Sequence, residues 1–251
     1  MQNRQHKPED PYYGHLQTSL LALIEKRPGR VLEIGCGRGL ALQYLKRNRA
    51  ADFVVGVELV PEVAAIARKN TELDLVLAGD VEQMELDFPA GYFDLIIASH
   101  VLEHLKDPWL FTRRLVRLLK SDGQLIGALP NVRFVKVSLP LVFFGKWQYE
   151  KEGVLDRTHT KFFTQETIDD TLRTSGLTVR KIQPEFSPKA RMINKITFGI
   201  FRHLLCFAYN FSAQPNADPR NVDVDAAVRV AASKAYATRG LQRNGSSTIR
   251  P

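Results

Sequence analysis

The sequence has too few cysteines for a disulfide-rich or thiolate-metal protein, and it lacks a long apolar run. Its two cysteines, Cys36 and Cys206, cannot supply a metal site of three or four thiolates, and we predict no metal site. No stretch of about 18 uninterrupted apolar residues occurs, so no membrane-spanning helix is expected. Residues 1–10 are polar, from which we expect no secretory signal and a cytoplasmic location.

The basic charge of the chain is concentrated in its last quarter. The 251 residues carry a net charge of +8, with ordinary hydrophobic and charged shares of 44% and 25%. Residues 1–185 hold 25 Lys and Arg against 24 Asp and Glu, whereas residues 186–251 hold 10 against 3. A domain that binds nucleic acid usually presents a basic surface of its own. We therefore expect a globular domain with no specific nucleic-acid partner.

Short apolar runs alternate with longer amphipathic segments over the first 185 residues. The runs are continuous, as in strands buried on both faces of a sheet. Six of them are predicted strands: Arg30–Ile34, Phe53–Glu58, Leu75–Ala78, Phe93–Ser99, Gln124–Leu129 and Leu177–Ile182. Strands that alternate with helices imply right-handed crossovers. The sequence predicts an α/β fold, a three-layer Rossmann-like open and mostly parallel sheet with helices on both faces.

Three segments are expected to differ from this domain of residues 1–185. Residues 131–161 are too long for an ordinary connection of about 2–6 residues, which indicates a lid or substrate-binding insertion. Residues 186–213 are apolar and basic and are predicted to be helical, packed on the sheet or over the substrate mouth, or lying on a membrane surface. Residues 214–251 are predicted to be a poorly ordered basic tail. Weak membrane-surface association through residues 190–211 and the tail would place the protein at the inner face of a membrane.

A glycine-rich turn follows the first predicted strand. Gly35, Gly37 and Gly39 are spaced so that the backbone can turn tightly and approach a ligand. A dinucleotide fingerprint would have a further glycine where the chain has Leu40. The preceding Glu33 would repel a pyrophosphate, and it suits a ligand that carries an ammonium and a sulfonium.

Further polar residues follow the next predicted strands. Glu58 ends a strand about 20 residues after the glycine turn, where a carboxylate can accept ribose hydroxyls. Asp80 follows the next strand, and His100 follows the strand after that. Because the carboxyl ends of parallel strands meet at one edge of a sheet, this ordered set predicts a single crevice that binds a nucleoside.

These segments resemble those of the class I S-adenosylmethionine-dependent methyltransferases. The matching stretches are VLEIGCGRG, VVGVEL, AGDVEQM and FDLIIASHVLEHL. The resemblance implies the class I methyltransferase fold, with S-adenosyl-L-methionine as cofactor. The implied cofactor contacts are Glu33, Gly35, Cys36, Gly37 and Gly39 around the methionine portion, Glu58 at the ribose, Leu59, Asp80 and Val81 at the adenine, and Ser99 and His100 at the floor.

A second segment, GVLDRTHTKFFT, is similar to a GLLDRTHLRFFT-like segment of bacterial methyltransferases, often found among functions in cell-surface polysaccharide or lipid-tail biosynthesis. This resemblance implies methyl transfer to a small molecule or a lipid- or nucleotide-linked saccharide, at an oxygen. Two alternatives stay open. One is an RNA or protein methyltransferase that uses the basic tail, and the other is a catalytically silent scaffold.

The same segment contains the residues we expect to be catalytic. The ordinary pKa of a histidine side chain lies near neutrality, so His159 suits a general base, and Asp156 could orient its ring. The alternative is that both residues only hold the insertion on the core. His100 is expected to form a wall of the cofactor site rather than to act as the base.

Overall fold

The computed structural model describes residues 16–48 and 51–216. The tail predicted for residues 214–251 therefore lies mostly outside the described residues. The helices are α1 (Thr18–Leu21), α2 (Leu40–Asn48), α3 (Pro61–Arg68), α4 (Pro108–Leu118), α5 (Val135–Phe144), α6 (Gln165–Thr174), α7 (Pro188–Ile196) and α8 (Arg202–Leu205), with a 3₁₀ turn at Leu102–His104. The strands are β1 (Arg30–Ile34), β2 (Phe53–Glu58), β3 (Leu75–Ala78), β4 (Phe93–Ser99), β5 (Leu119–Pro130), β6 (Leu177–Glu185) and β7 (Ala208–Pro215).

The strands form one seven-stranded sheet in the order β3-β2-β1-β4-β5-β7-β6. Strands β1 to β5 are parallel, and β7 runs antiparallel to both β5 and β6. The chain moves outward from β1 to β3 and then returns to pair β4 with β1. This reversal opens a crevice at the carboxyl ends of β1 and β4, which is where open α/β sheets bind ligands.

Each face of the sheet has its own hydrophobic core. Leu32 packs with side chains of α4 and α6 on one face, whereas the residue immediately before it, Val31, packs with α1, α2 and α3 on the other face. Successive residues of a strand point to opposite faces, so a continuous apolar run supplies both cores. The predicted three-layer, mostly parallel α/β architecture is confirmed. No helix among the described residues is long and apolar enough to cross a membrane.

Four of the predicted strands have the bounds of β1 to β4, and the other two are longer than predicted. The prediction of a helical segment at 186–213 is wrong at its end, because Ala208–Pro215 is a strand between β5 and β6. The sheet therefore includes residues 208–215, which lie beyond the predicted domain of residues 1–185.

The sequence of β7 hides its position inside the sheet because one of its faces is polar. Tyr209 and Phe211 join the core shared with α4 and α6. On the other face, Ser212 Oγ accepts from Gln124 Nε2 at 2.7 Å, and Asn210 Nδ2 donates to Ser19 Oγ at 3.2 Å. Buried polar groups persist when they are hydrogen-bonded to each other.

The position of Phe211 in β7 gives a stability prediction. Its ring lies against Gly127 of β5, where an added Cβ would stand 2.4 Å from the ring. We expect Phe211→Ala to lower the free energy of unfolding by about 3–5 kcal/mol in urea titrations. The matched control is Phe198→Ala, since Phe198 is 93% exposed and its loss should cost no more than about 0.5 kcal/mol. Equal effects of the two substitutions would contradict the assignment of β7 to the core.

Candidate active site

The glycine turn after β1 is fixed to the neighbouring strand by its backbone. The amides of Gly35 and Cys36 both donate to the carbonyl of Val57, at 2.8 and 3.0 Å. Gly35, Gly37 and Gly39 have φ angles of 70°, 54° and 79°, a region that favours glycine. The turn therefore needs glycine at these positions, and it leads directly into α2 at the edge of the crevice.

Cys36 fills the space beneath this turn. Its Sγ lies so close to Gly56 that a Cβ added there would stand 2.5 Å away. Burial, and then the nearby carboxylates of Glu33 and Glu58, raise the pKa of the thiol. A thiol with a raised pKa is a poor nucleophile, so Cys36 has a packing role in the cofactor crevice.

Glu58 lies at the carboxyl end of β2 and reaches across to the glycine turn. Its Oε2 accepts from the amide of Gly37 at 2.9 Å, and its Oε1 accepts from the amide of Val60 at 2.9 Å. Burial raises the pKa of Glu58, although these amides act in the opposite direction. Each oxygen can accept a second hydrogen bond, so the carboxylate remains able to bind a pair of hydroxyls.

Glu33 is a buried acid, and one of its carboxyl oxygens, Oε2, has no hydrogen-bond partner among the described residues. Burial, and next the charge of Glu58, raise the pKa of Glu33 to about 8. A buried carboxyl with an unpaired oxygen is costly unless a ligand supplies a donor or a positive charge. The ammonium of an amino-acid ligand would supply both.

The side chains predicted to contact the adenine lie after β2 and β3. Leu59 is an exposed apolar side chain beside Glu58, whereas Val81 is buried. Asp80 Oδ1 accepts from the amide of Glu82 at 3.0 Å, and Oδ2 accepts from Gln83 Nε2 at 2.9 Å. Asp80 is therefore held in place by its own loop.

Gln17 is a residue beside the crevice that nothing in the sequence led us to expect. Ser99, at the end of β4, donates its Oγ hydrogen to Oε1 of Gln17, which precedes α1. The contact links residues 82 positions apart, and neither residue belongs to a motif that would reveal it. Gln17 therefore lies beside the end of β4.

His100 and Glu103 form a pair at the end of β4. His100 Nδ1 lies 3.2 Å from Glu103 Oε1, and the side chains are 28% and 1% exposed. His100 has a φ angle of 54°, which is uncommon for a residue other than glycine and often marks a functional site. The pKa of Glu103 is lowered from its ordinary value. Burial alone would raise it, but the hydrogen bond and charge of His100, and then the charges of His104 and His159, outweigh burial. The carboxylate also raises the pKa of His100 above its ordinary value despite the burial of the ring.

The structure brings His159 to the same carboxylate. Its Nε2 lies 4.0 Å from Glu103 Oε1, and its Nδ1 lies 2.9 Å from the carbonyl of Val154. The side chain is only 6% exposed. Asp156 accepts from the amide and the hydroxyl of Thr158, both at 2.8 Å. These contacts support the alternative that this segment holds the insertion on the core.

Backbone hydrogen bonds also join the end of the insertion to the turn that contains Glu103. The amides of Thr160 and Lys161 donate to the carbonyl of Glu103 at 2.8 and 3.1 Å, and Thr158 Oγ1 lies 3.0 Å from His104 Nδ1. The end of the long insertion is thus tied to the 3₁₀ turn after β4.

The same cluster contains donor atoms that could hold a metal ion. Ligand atoms of Glu103, His104 and His159 lie within 4.8 Å of one another, and Glu103 Oε2 has no hydrogen-bond partner among the described residues. Imidazole nitrogens and a carboxylate are ligands of several divalent cations. The expectation of no metal site stays a prediction, and a chelator control belongs in any assay.

The fold and this crevice are those of the class I methyltransferases, and sequence comparison agrees. A family model described as a methyltransferase domain matches residues 10–182. The chain belongs to this methyltransferase family, and its cofactor is S-adenosylmethionine.

Curated relatives carry the name ubiquinone biosynthesis O-methyltransferase. The mitochondrial protein of Mus musculus is 30% identical over 162 residues, which are 61% of this chain and 42% of that protein. The Xylella fastidiosa (strain M23) protein is 32% identical over 146 residues, 55% of this chain and 57% of its own length. The chain thus spans about half the length of the curated relatives it matches.

Solved structures support the fold alone. An S-adenosylmethionine-dependent methyltransferase from Archaeoglobus fulgidus has a TM-score of 0.59 at 22% identity, covering 81% of this chain and 92% of that one. One from Mesorhizobium loti has a TM-score of 0.58 at 18% identity, covering 78% and 96%.

The residues present fit S-adenosylmethionine. The unpaired oxygen and raised pKa of Glu33 suit a cationic methionine portion. The carboxylate of Glu58 has the remaining acceptor capacity for a ribose, and the exposed side chain of Leu59 can cover an adenine. Glu33 lies near the carboxyl end of β1, and Glu58 and Leu59 lie at the carboxyl end of the adjacent strand β2.

Removal of the Glu58 carboxylate tests the ribose contact. We expect Glu58→Ala to weaken binding of S-adenosylmethionine by about 2 kcal/mol, or roughly 30-fold, because two hydroxyls lose a charged acceptor. Calorimetry on the purified protein measures this change. Glu62→Ala is the control, since Glu62 is an exposed acid of α3. Unchanged affinity in Glu58→Ala would remove the ribose assignment.

The raised pKa of Glu33 predicts that cofactor binding releases a proton. At neutral pH the carboxyl of the free protein is largely protonated, and a bound ammonium favours its ionised form. Affinity should therefore rise with pH between about 6 and 7.5, approaching tenfold per pH unit. Calorimetry in buffers of different ionisation heat counts the proton directly. Glu33→Gln should bind more weakly and lose this dependence, and a proton-neutral wild type would refute the contact.

Proposed function

We propose that this protein transfers the methyl group of S-adenosylmethionine to a hydroxyl oxygen of a small molecule that carries a saccharide or lipid portion. The observation that carries the proposal is the His100–Glu103 pair at the end of β4, beside the crevice that holds the cofactor residues. A hydroxyl starts protonated, so its methylation benefits from a base that is fixed next to the methyl donor.

The curated relatives favour an oxygen acceptor in a small molecule, because they are named O-methyltransferases of ubiquinone biosynthesis. The saccharide or lipid portion is supported only by the similarity of the GVLDRTHTKFFT segment to that of bacterial polysaccharide and lipid-tail methyltransferases. An RNA acceptor has less support, since residues 1–185 are nearly neutral. A silent scaffold has no need of the acidic residues at the crevice.

The orientation of His100 follows from the charge of its partner. The lowered pKa of Glu103 keeps its carboxylate ionised, so Nδ1 of His100 must carry the hydrogen that Oε1 accepts. Nε2 is then left with its lone pair. In this state the ring is held by a buried acid and can take a proton at Nε2, the arrangement that activates a hydroxyl.

When bound, S-adenosylmethionine would supply an electrophilic methyl group on a sulfonium, and its sulfur would leave as a neutral thioether once the acceptor oxygen had taken the methyl. The proton of the hydroxyl moves to Nε2 of His100, and the carboxylate of Glu103 stabilises the imidazolium that forms. The insertion tied to Glu103 would cover the reacting groups and exclude water.

His100 fits the role of base better than the sequence-predicted His159. His100 is 28% exposed and contacts Glu103 through Nδ1. His159 is 6% exposed, with its two ring nitrogens facing the Val154 carbonyl and Glu103. A base must reach the acceptor, so we assign His159 to positioning the insertion.

A comparison of two variants separates these roles. We expect His100→Gln to lower turnover by about 10²–10⁴ with cofactor affinity within about twofold, the range for loss of a general base. The wild-type rate should rise with pH, with a midpoint above 6.5 because the pKa of His100 is raised, and the variant should lack this limb. The measurement is a pH–rate profile on an accepted substrate, with and without a chelator.

His159→Gln is the matched control, and it should keep the ascending limb. Loss of the limb in His159→Gln alone would restore His159 as the base. A limb that persists in both variants would mean that neither histidine takes the proton.

A further inference from the structure

The surface beside the crevice is unusually apolar. Ten large apolar side chains there are between 41% and 93% exposed, and we call them the apolar platform: Leu139, Leu141, Val142, Phe143, Phe144, Met192, Ile196, Phe198, Ile200 and Phe201. Helix α7 buries none of its residues, and α5 buries only Val137. Contiguous exposed apolar patches of this kind mark interaction sites on soluble domains.

The two parts of the apolar platform are joined at the end of the sheet. Helix α5 follows β5, and helix α8 contacts both α5 and α7. The buried Asn131 donates from Nδ2 to the carbonyls of His203 and Cys206, at 2.8 and 2.9 Å. The end of β5 and the connection that precedes β7 are therefore held together.

The sheet topology places the apolar platform at the edge that holds the cofactor crevice. Strand β7 is antiparallel to β5, with Ala208 opposite Pro130. The connection between β6 and β7 consequently lies at the carboxyl end of β5. Helix α5 starts from the same end, so the apolar platform and the cofactor residues share one edge of the molecule.

The two segments that carry the apolar platform are basic. The segments 131–147 and 186–207 contain seven Lys and Arg and no Asp or Glu. All seven are exposed: Arg133, Lys136, Lys146, Lys189, Arg191, Lys195 and Arg202. An apolar face bordered by basic side chains matches the boundary between the hydrocarbon and the anionic headgroups of a bilayer.

The shape of the apolar platform also suits a bilayer surface. Helices α5 and α7 have only 10 and 9 residues, too short to span it but long enough to lie in its plane. Phe198 projects from a turn in which it and Gly199 have φ angles of 51° and 78°. Residues 217–251 are an unsuitable cover, since they carry six Lys and Arg against three Asp and a single aromatic residue.

We propose that the apolar platform docks this protein on an anionic lipid bilayer, with the mouth of the cofactor crevice facing the membrane. The acceptor is then an amphiphile whose hydrocarbon stays in the bilayer while its hydroxyl reaches the crevice. The apolar platform and its basic residues support the docking. Only the class of substrate rests on the proposed methyl transfer.

Vesicle sedimentation with the full chain tests the docking. Phosphatidylcholine vesicles that contain about 30% phosphatidylglycerol should bind the protein at least about tenfold more tightly than phosphatidylcholine alone. Binding should weaken as salt rises, because the basic side chains contribute through screened charges. A chain that stays in the supernatant with the anionic vesicles would overturn the proposal.

Paired variants assign the binding to the apolar platform. Phe143→Ser with Phe198→Ser should reduce vesicle binding at least about tenfold, whereas Leu110→Ser, an exposed leucine of α4, should not. The basic residues are tested in the same way. Lys189→Glu with Lys195→Glu should also reduce vesicle binding. Lys69→Glu with Arg117→Glu, which changes the net charge equally at exposed positions elsewhere, should have a smaller effect. Platform variants that bind vesicles as the wild type does would overturn the proposal.

Two further measurements distinguish a failure of membrane docking from misfolding of the variants and from dimerisation through the apolar platform. Calorimetry with S-adenosylmethionine should give unchanged affinity in the platform variants, which shows that they are folded and that the crevice is independent. Light scattering without lipid should give the same mass for wild type and variants, and a dimer that dissociates in the variants would make the surface a contact between copies instead. Failure of the proposed methyl transfer would leave vesicle binding intact, whereas failure of docking would leave turnover of a short-chain, soluble acceptor intact.

Discussion

The carboxylate and carbonyl of Glu103 connect the end of β4 to the last residues of the 131–161 insertion. The side chain is 1% exposed and contacts His100, while the backbone oxygen accepts from the amides of Thr160 and Lys161. A buried carboxylate is costly unless donors and positive charges surround it. Three histidines supply these charges here and lower its pKa. The position of the insertion and the state of His100 both depend on this one group.

Two buried carboxyls, Glu33 in β1 and Glu103 in the 3₁₀ turn after β4, have pKa values shifted in opposite directions. Burial and Glu58 raise the pKa of Glu33 to about 8, whereas histidines lower that of Glu103. Groups whose pKa values are pushed apart in this way mark a division of roles. Glu33 Oε2 has no hydrogen-bond partner among the described residues, and we propose that a cationic cofactor supplies one. Glu103 Oε1 already contacts His100, although Glu103 Oε2 also has no hydrogen-bond partner there.

The sequence was sufficient for the parts of the fold that depend on local pattern. Strands β1 to β4 and the glycine turn were predicted because continuous apolar runs and glycine spacing are local signals. Strand β7 was missed because its polar face is paired with Gln124 and Ser19, which are distant in the chain. The His100–Glu103 pair was underestimated for a related reason. Burial and a left-handed backbone decide its chemistry, and neither can be read from the order of the residues.

The central claim is that a buried carboxylate fixes the tautomer of His100 and raises its pKa. Side-chain NMR of histidines labelled with ¹⁵N, recorded as pH is varied, measures both properties. We expect hydrogen on Nδ1 in the neutral ring and a pKa above the ordinary 6.5, and this pKa should fall in Glu103→Gln. A His100 ring that titrates at or below 6.5 in the wild type, or that is unaffected by Glu103→Gln, would contradict the role of the buried carboxylate.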